Sequence, residues 1–254
     1  MSKLSINEIK KKLNELSGND AEQLIMTLED DTRVSVRKVI DQYKARQKKF
    51  SDELARIYSM KEYERKYQMA DYICGIDEVG RGPLCGPVVT CAVILPKDVI
   101  IPGVNDSKKL SAKKREELAA VIKDKCIEYS IGMVDSSEID RINILNATVK
   151  AMESAVNSLK HRPQVLLIDA LHLPDITDIR QESIVKGDAT VFTIAAASIV
   201  AKVTRDHMMD EYDRQYPGYG FAKNKGYGTR EHIEAIKKLG PCPIHRRTFI
   251  KNFL

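Results

Sequence analysis

The sequence predicts an α/β protein: a mixed sheet with helices on both faces, a small helical extension before it and a helical segment after it. Three observations carry this. Short apolar runs rich in β-branched residues alternate with longer stretches patterned at a helical period. One run, Val165–Ile168, is apolar at every position, the pattern of a strand covered on both sides. The first 70 residues contain one Gly and no Pro, and Gly- and Pro-bearing turns follow only after Tyr72.

In the N-terminal stretch, Ser5 and Glu8 form a capping box opening a helix with Ile6, Ile9, Leu13 and Leu16 on one side. A second stripe runs through Val36, Val39, Ile40 and Tyr43, then Phe50, Leu54 and Ile57. From Tyr72 the texture changes. Tyr72–Asp77 reads as a buried strand, and Gly80, Gly82, Pro83, Gly86 and Pro87 as the turn after it. Val88–Leu95 is a second strand stopped by Pro96. Leu110–Lys125 is a helix with Leu118, Val121 and Ile122 on one face, and Ile127–Val134 is a strand. Ser136 or Ser137 caps a helix with the stripe Leu145, Thr148, Val149, Met152, Val156 and Leu159. Strands Val165–Ile168 and Glu182–Val185 follow, then helices Thr190–Tyr212 and Thr229–Leu239. The segments divide as 1–70, 71–215 and 216–254.

Composition narrows the function. With 43% hydrophobic and 30% charged residues the chain is neither disordered nor collagen-like. Its longest uncharged apolar stretch, Val191–Ala201, is well short of the roughly 20 residues that span a bilayer. Met-Ser-Lys-Leu-Ser carries no export signal, and none of the five cysteines has C-x-x-C spacing. A cytoplasmic, membrane-free protein with reduced thiols is expected. The net charge of +5 is uneven: +2 over 1–71, −3 over 72–215 and +6 over 216–254. A slightly acidic centre beside a basic end suits carboxylates next to a phosphate-binding surface, although a basic tail is equally a solvated face.

The acids at strand exits are the informative feature. Asp77 and Glu78 follow Tyr-Ile-Cys-Gly-Ile, Asp169 ends Val-Leu-Leu-Ile, and Asp188 follows Gly187. In α/β sheets these exits border the ligand crevice. Gathered carboxylates repel unless cations neutralise them, and an all-oxygen set suits Mg²⁺ or Mn²⁺ acting on phosphate esters. Each acid also has a plainer role open to it: Asp188 as a helix cap, Asp169 as a strand stop, Asp77 and Glu78 as an exposed turn. Spacing alone does not bring them together. The loop Gly80–Gly86 is one residue too long for a dinucleotide fingerprint, and no P-loop is present. It offers two glycines that let backbone approach a ligand and one arginine to fork a phosphate.

Gly75-Ile76-Asp77-Glu78-Val79-Gly80-Arg81-Gly82-Pro83-Leu84-Cys85-Gly86-Pro87-Val88-Val89 resembles the opening signature of bacterial ribonuclease HII. Asn105–Leu110, Ile168-Asp169-Ala170, Lys186-Gly187-Asp188, the run Ala195–Asp206, Lys225–His232 and Pro241–Phe249 continue in that family's order, covering about 72–250. The resemblance implies a ribonuclease H-like catalytic domain over 71–215, with 216–254 as part of the catalytic module and 1–70 as a candidate substrate-binding arm. It implies an endonuclease that hydrolyses the RNA strand of RNA–DNA hybrids and nicks DNA 5′ to single embedded ribonucleotides. Cleavage would use metal-activated water and leave 5′-phosphate and 3′-hydroxyl ends, as in ribonucleotide excision repair. The catalytic and metal-binding set would be Asp77, Glu78, Asp169 and Asp188, holding two Mg²⁺ or Mn²⁺ ions. Gly80, Arg81 and Gly82 would contact the 2′-hydroxyl and adjacent phosphate, Tyr227 the junction sugar, and Ser107, Lys108 and Lys109 the substrate backbone. A monomer is expected. The sister family ribonuclease HIII lacks Gly-Arg-Gly here and has a β-rich N-terminal module. A non-catalytic nucleic-acid-binding protein of the same fold would have no use for four such acids. A DNA-cleaving resolvase or transposase would not need a ribose-reading loop.

Overall fold

The structure, a computed structural model, describes residues 4–16 and 18–252. The Met1–Lys3 part of the segment read for export lies outside them. The elements run α1 (Ile6–Glu15), α2 (Asn19–Thr27), α3 (Val34–Met60), α4 (Glu62–Lys66), β1 (Ile73–Val79), β2 (Val88–Ile94), a 3₁₀ turn (Ser107–Lys109), α5 (Ala112–Lys125), β3 (Glu128–Val134), α6 (Ser136–Ile142), α7 (Ile144–Asn157), β4 (Val165–Asp169), β5 (Arg180–Ile184), α8 (Gly187–Thr190), α9 (Phe192–Gln215), α10 (Phe221–Asn224), α11 (Arg230–Leu239) and α12 (Arg247–Ile250). The chain divides into two compact units, 1–56 and 57–254.

In the first unit the capping box is present, with the Glu8 N–H on Ser5 Oγ at 3.3 Å and the Ser5 N–H on Glu8 Oε2 at 2.7 Å. Ile9, Leu13, Ala21, Ile25, Val36, Val39, Ile40 and Tyr43 close one core. Phe50 is 53% exposed, because it stands on α3 beyond Tyr43, the last residue of that core. The basic clusters Lys10–Lys12, Arg37-Lys38 and Lys44–Lys49 all face solvent.

In the second unit five strands form one sheet in the order β3-β2-β1-β4-β5. β1 is antiparallel to β2 and parallel to β4, and β4 is parallel to β5. Alternation along β2 sorts the faces. Cys91 and Val93 join the core under α5 and α9, while Ala92 and Ile94 join the core under α7. Glycine permits the closest approaches. A Cβ on Gly75 would fall 2.4 Å from the Thr193 backbone of α9, and one on Gly132 would fall 1.8 Å from the Ala151 carbonyl of α7. Residues 57–70 pack within this unit: the Lys61 ammonium donates to the Lys97 and Val99 carbonyls, and Glu64 accepts from the Thr193 N–H at 2.9 Å.

Several local expectations are corrected. β1 runs on to Val79, so Asp77 and Glu78 are inside the strand, opposite Cys91 and Thr90. Asp135 rather than Ser136 or Ser137 caps α6, because its carboxylate takes the Glu138 N–H at 2.9 Å and the Ser137 hydroxyl as well. The long helix expected after it is two, divided at Asn143, whose φ of 67° breaks the helix and whose side chain caps α7. Leu110 precedes α5, which Ser111 caps, and the buried face of α5 is Leu118, Ala119 and Ile122, with Val121 outside. Leu145 and Val185 are exposed, and β5 begins at Arg180. Thr190 closes α8, and the long helix starts at Phe192.

Candidate active site

The register places the acids. Ile76 of β1 pairs with Ile168 of β4, so the next residues, Asp77 and Asp169, stand side by side at one end of the sheet. Asp188 arrives from α8, whose Gly187 N–H donates to Asp169 Oδ1 at 2.7 Å. Lys186 takes a left-handed φ of 60° to make that turn. Gly187 carries no side chain because a Cβ would fall 2.6 Å from Ile194 and 3.4 Å from Asp169 Oδ1. Asp77 is 4% exposed and accepts a hydrogen bond from the Ser198 side chain of α9. Ser198 in turn meets the Ser107 hydroxyl at 2.9 Å. Ser107 therefore faces inward, whereas Lys108 is open to solvent and donates its ammonium to Asp188 Oδ2 at 2.8 Å. Lys109 is exposed.

Electrostatics confirm the convergence that spacing could not give. Burial raises the Asp77 carboxyl well above the ordinary range, and the charges of Glu78 and Asp169 raise it further. Burial also raises Glu78, against the pull of Arg81 at 3.5 Å, and raises Asp169 against its hydrogen bond from Gly187. Glu78 Oε2 is buried with no hydrogen-bond partner among the described residues. An unmet acceptor inside mutually repelling oxygens fits a hard divalent cation. Asp77, Glu78, Asp169 and Asp188 would hold it.

Beside the acids lies the Gly80–Gly86 loop. Tyr227 is half exposed, and a Cβ on Gly82 would lie 3.9 Å from its ring. The loop rests on two fully buried arginines. Arg205 of α9 donates to the carbonyls of Cys85, Pro87 and Lys225 at 2.8–3.0 Å. Arg246 donates to those of Gly80, Arg81 and Gly86 at 2.6–3.0 Å. Two buried histidines brace the turn at Tyr227. The Cys242 N–H donates to His245 Nδ1 at 2.9 Å, which leaves the His245 proton on Nε2. That proton faces His232 Nε2 at 3.1 Å, and His232 Nδ1–H donates to the Tyr227 carbonyl at 2.9 Å. Burial, with His232 adding to it, pushes His245 down to about 4, and both rings are neutral at pH 7. The Cys85, His232 and His245 ligand atoms lie within 4.8 Å of one another, but every ring nitrogen is already spent on a hydrogen bond. We read the group as a strut. These four residues carried no role in the sequence reading. Basic side chains look like surface until the fold buries them.

A mixed five-stranded sheet of this topology, flanked by helices, defines a protein of the ribonuclease H fold. The crystal structure of the ribonuclease H2 from Pyrococcus horikoshii shares that fold. It is 29% identical, with a TM-score of 0.60 over 72% of this chain and 96% of that one. The family described as Ribonuclease HII matches residues 74–252, and its N-terminal domain matches 5–68. A protein named Ribonuclease HII from Acetivibrio thermocellus is 52% identical over 100% of both chains. Another of that name from Caldanaerobacter subterraneus is 58% identical over 80% of this chain and 84% of its own. The chain belongs to the ribonuclease HII family. It is a hydrolytic endoribonuclease of a family that depends on divalent metal and acts on RNA–DNA hybrids.

Proposed function

We propose that this enzyme cuts the phosphodiester on the 5′ side of a ribonucleotide, both along the RNA strand of a hybrid and at a single ribonucleotide embedded in duplex DNA. The ends would be a 5′-phosphate and a 3′-hydroxyl. The observation that supports this best is the juxtaposition of the acid cluster with the Gly80–Gly82 loop and Tyr227. Two Mg²⁺ or Mn²⁺ ions, when bound, supply an activated nucleophile and neutralise charge at the phosphate. The chain does the rest. Asp77 is held by Ser198, Asp169 by the Gly187 N–H, and Glu78 Oε2 has no hydrogen-bond partner among the described residues. Lys108 and Lys109 lie outward for the substrate backbone, and Ser107 supports Asp77 through Ser198. The Gly80–Gly82 backbone reaches the 2′-hydroxyl, the group that separates RNA from DNA at one position. Tyr227 stacks on the neighbouring sugar.

The exposed lysines and arginines of residues 1–56 suit an arm that adds sequence-independent affinity. No helix among the described residues is long and apolar enough to cross a membrane. We place the protein in the cytoplasm as a monomer. The test is a nicking assay on duplex DNA with one internal ribonucleotide beside an all-DNA control. Cleavage of the control, or none of the ribonucleotide duplex with Mn²⁺ bound, overturns the reading. A chain starting at Ile57 should cut the same bond, bind hybrid about 3–10-fold more weakly at low salt, and show a shallower dependence of log affinity on log salt. Equal affinities and slopes in a salt titration would leave the arm no binding role.

A further inference from the structure

The peptide units of the Gly80–Gly82 turn have two edges, and among the described residues only one is filled. A trans peptide places its C=O and N–H on opposite edges of one plane. Arg246 Nη2 donates to the Gly80 carbonyl at 2.6 Å and Nη1 to the Arg81 carbonyl at 2.9 Å. Across those planes are the N–H groups of Arg81 and Gly82. Neither donates to a protein group among the described residues. The same guanidinium takes the Gly86 carbonyl through Nε and Nη2 at 3.0 and 2.8 Å, closing the far limb of the loop.

The grip is built for this task. Arg246 is 0% exposed, forms no ion pair among the described residues, and lies 5.1 Å from the Phe249 ring centroid. Burial lowers its pKa only to about 9, so it stays cationic at neutral pH. A buried cation on the carbonyl edge polarises the peptide and strengthens the N–H on the other edge as a donor. A lysine could not reach three carbonyls in one plane with a fixed fork. Arg205 extends the frame to Cys85, Pro87 and Lys225, so the turn before Tyr227 hangs from the same support.

We propose that Arg246 is a positioning residue for ribose recognition: by holding the Gly80 and Arg81 carbonyls inward it fixes the Arg81 and Gly82 N–H groups outward as a donor pair for the ribonucleotide. This rests on the loop being the ribose reader, so the experiment tests both separately. Arg246→Lys keeps the charge and loses the fork. Phe249→Leu only loosens the guanidinium, and keeps the test alive if the lysine variant does not fold. Gly82→Ala intrudes on the outward face of the loop directly, with no atom nearer than 3.9 Å to oppose its Cβ. Each is assayed for kcat and KM on a single-ribonucleotide duplex and for Mn²⁺ affinity by calorimetry. Arg246→Lys should raise KM about tenfold or more, the scale of one or two lost charge-assisted hydrogen bonds, with Mn²⁺ affinity within about twofold of the parent. Phe249→Leu should move KM the same way by less. If Gly82→Ala impairs nicking while both other variants keep the parental KM, Arg246 has no positioning role. A parallel fall in Mn²⁺ affinity would also overturn it, since the residue would then support the whole catalytic end. If Gly82→Ala nicks normally, the loop reading itself is wrong.

Discussion

The acid cluster and the arginine–histidine frame lie close together in one compact unit, and they are finished to opposite degrees. In the frame every buried donor has a carbonyl or ring nitrogen: two guanidiniums hold six carbonyls, and both histidines spend both nitrogens. In the cluster three carboxyls are driven above their ordinary pKa, and one buried oxygen has no hydrogen-bond partner among the described residues. The frame gains nothing from a ligand and supplies rigidity. The cluster keeps a mutual repulsion and an unmet acceptor that a bound cation would relieve. Buried polar groups of the first kind stabilise the native chain, and those of the second kind destabilise it in exchange for binding.

Replacing one acid breaks the comparison most directly. Asp77→Asn keeps the shape that accepts from Ser198 and removes a charge. Nicking with Mg²⁺ should fall by about a thousandfold or more, and the metal-free protein should melt higher by about 2–4 °C, the scale of 1 kcal/mol in a chain of this size. A thermal melt beside the nicking assay checks both, and near-parental cleavage would remove Asp77 from the reaction. On the frame's side, Tyr227→Ala should lower single-ribonucleotide nicking about tenfold, on the scale of one stacked base. Mn²⁺ affinity should be unchanged, and a collapse of metal binding would show that the two regions are not separable. Saturating Mn²⁺ at about 100 times its Kd should stabilise the parent by about 2.7 kcal/mol and Asp77→Asn by much less.

The smallest effect is on pH, and its sign differs between the two regions. The acids, held above their ordinary 3.8 and 4.5, cost the metal-free fold stability as pH rises past those values. His245, held down at about 4 against an ordinary 6.5, costs stability as pH falls from 6.5 towards 4. The two slopes oppose each other in that window. Denaturant unfolding of metal-free Asp77→Asn should therefore gain stability more steeply between pH 4 and 6.5 than the parent. Identical profiles would mean the acids are not strained.

Much of this was legible beforehand. Short apolar runs located the five strands among the described residues, and the acids could be picked out because few residues end apolar runs that way, although β1 continues past Asp77 and Glu78 to Val79. What composition hid was geometric. Asn143 splits a continuous apolar stripe through a backbone angle that no periodicity reports. Ser107 sits in a basic block yet faces the core, because Ser198 offers it a hydroxyl across 91 residues of sequence. Arg205 and Arg246 have no assigned role in any linear view. Only the loop folded over them shows that their partners are carbonyls.

Helix α9 carries both Ser198, which steadies Asp77, and Arg205, which steadies the loop and the approach to Tyr227. Seven residues separate them, about two turns or 10 Å. The helix is thus a ruler between the acid cluster and the loop, graduated in residues. One residue inserted between them would swing Arg205 by about 100° and advance it about 1.5 Å, taking its guanidinium off the Cys85, Pro87 and Lys225 carbonyls while Ser198 stays on Asp77. The spacing between acids and loop frame is in this sense a length, written in the rise of a single rod.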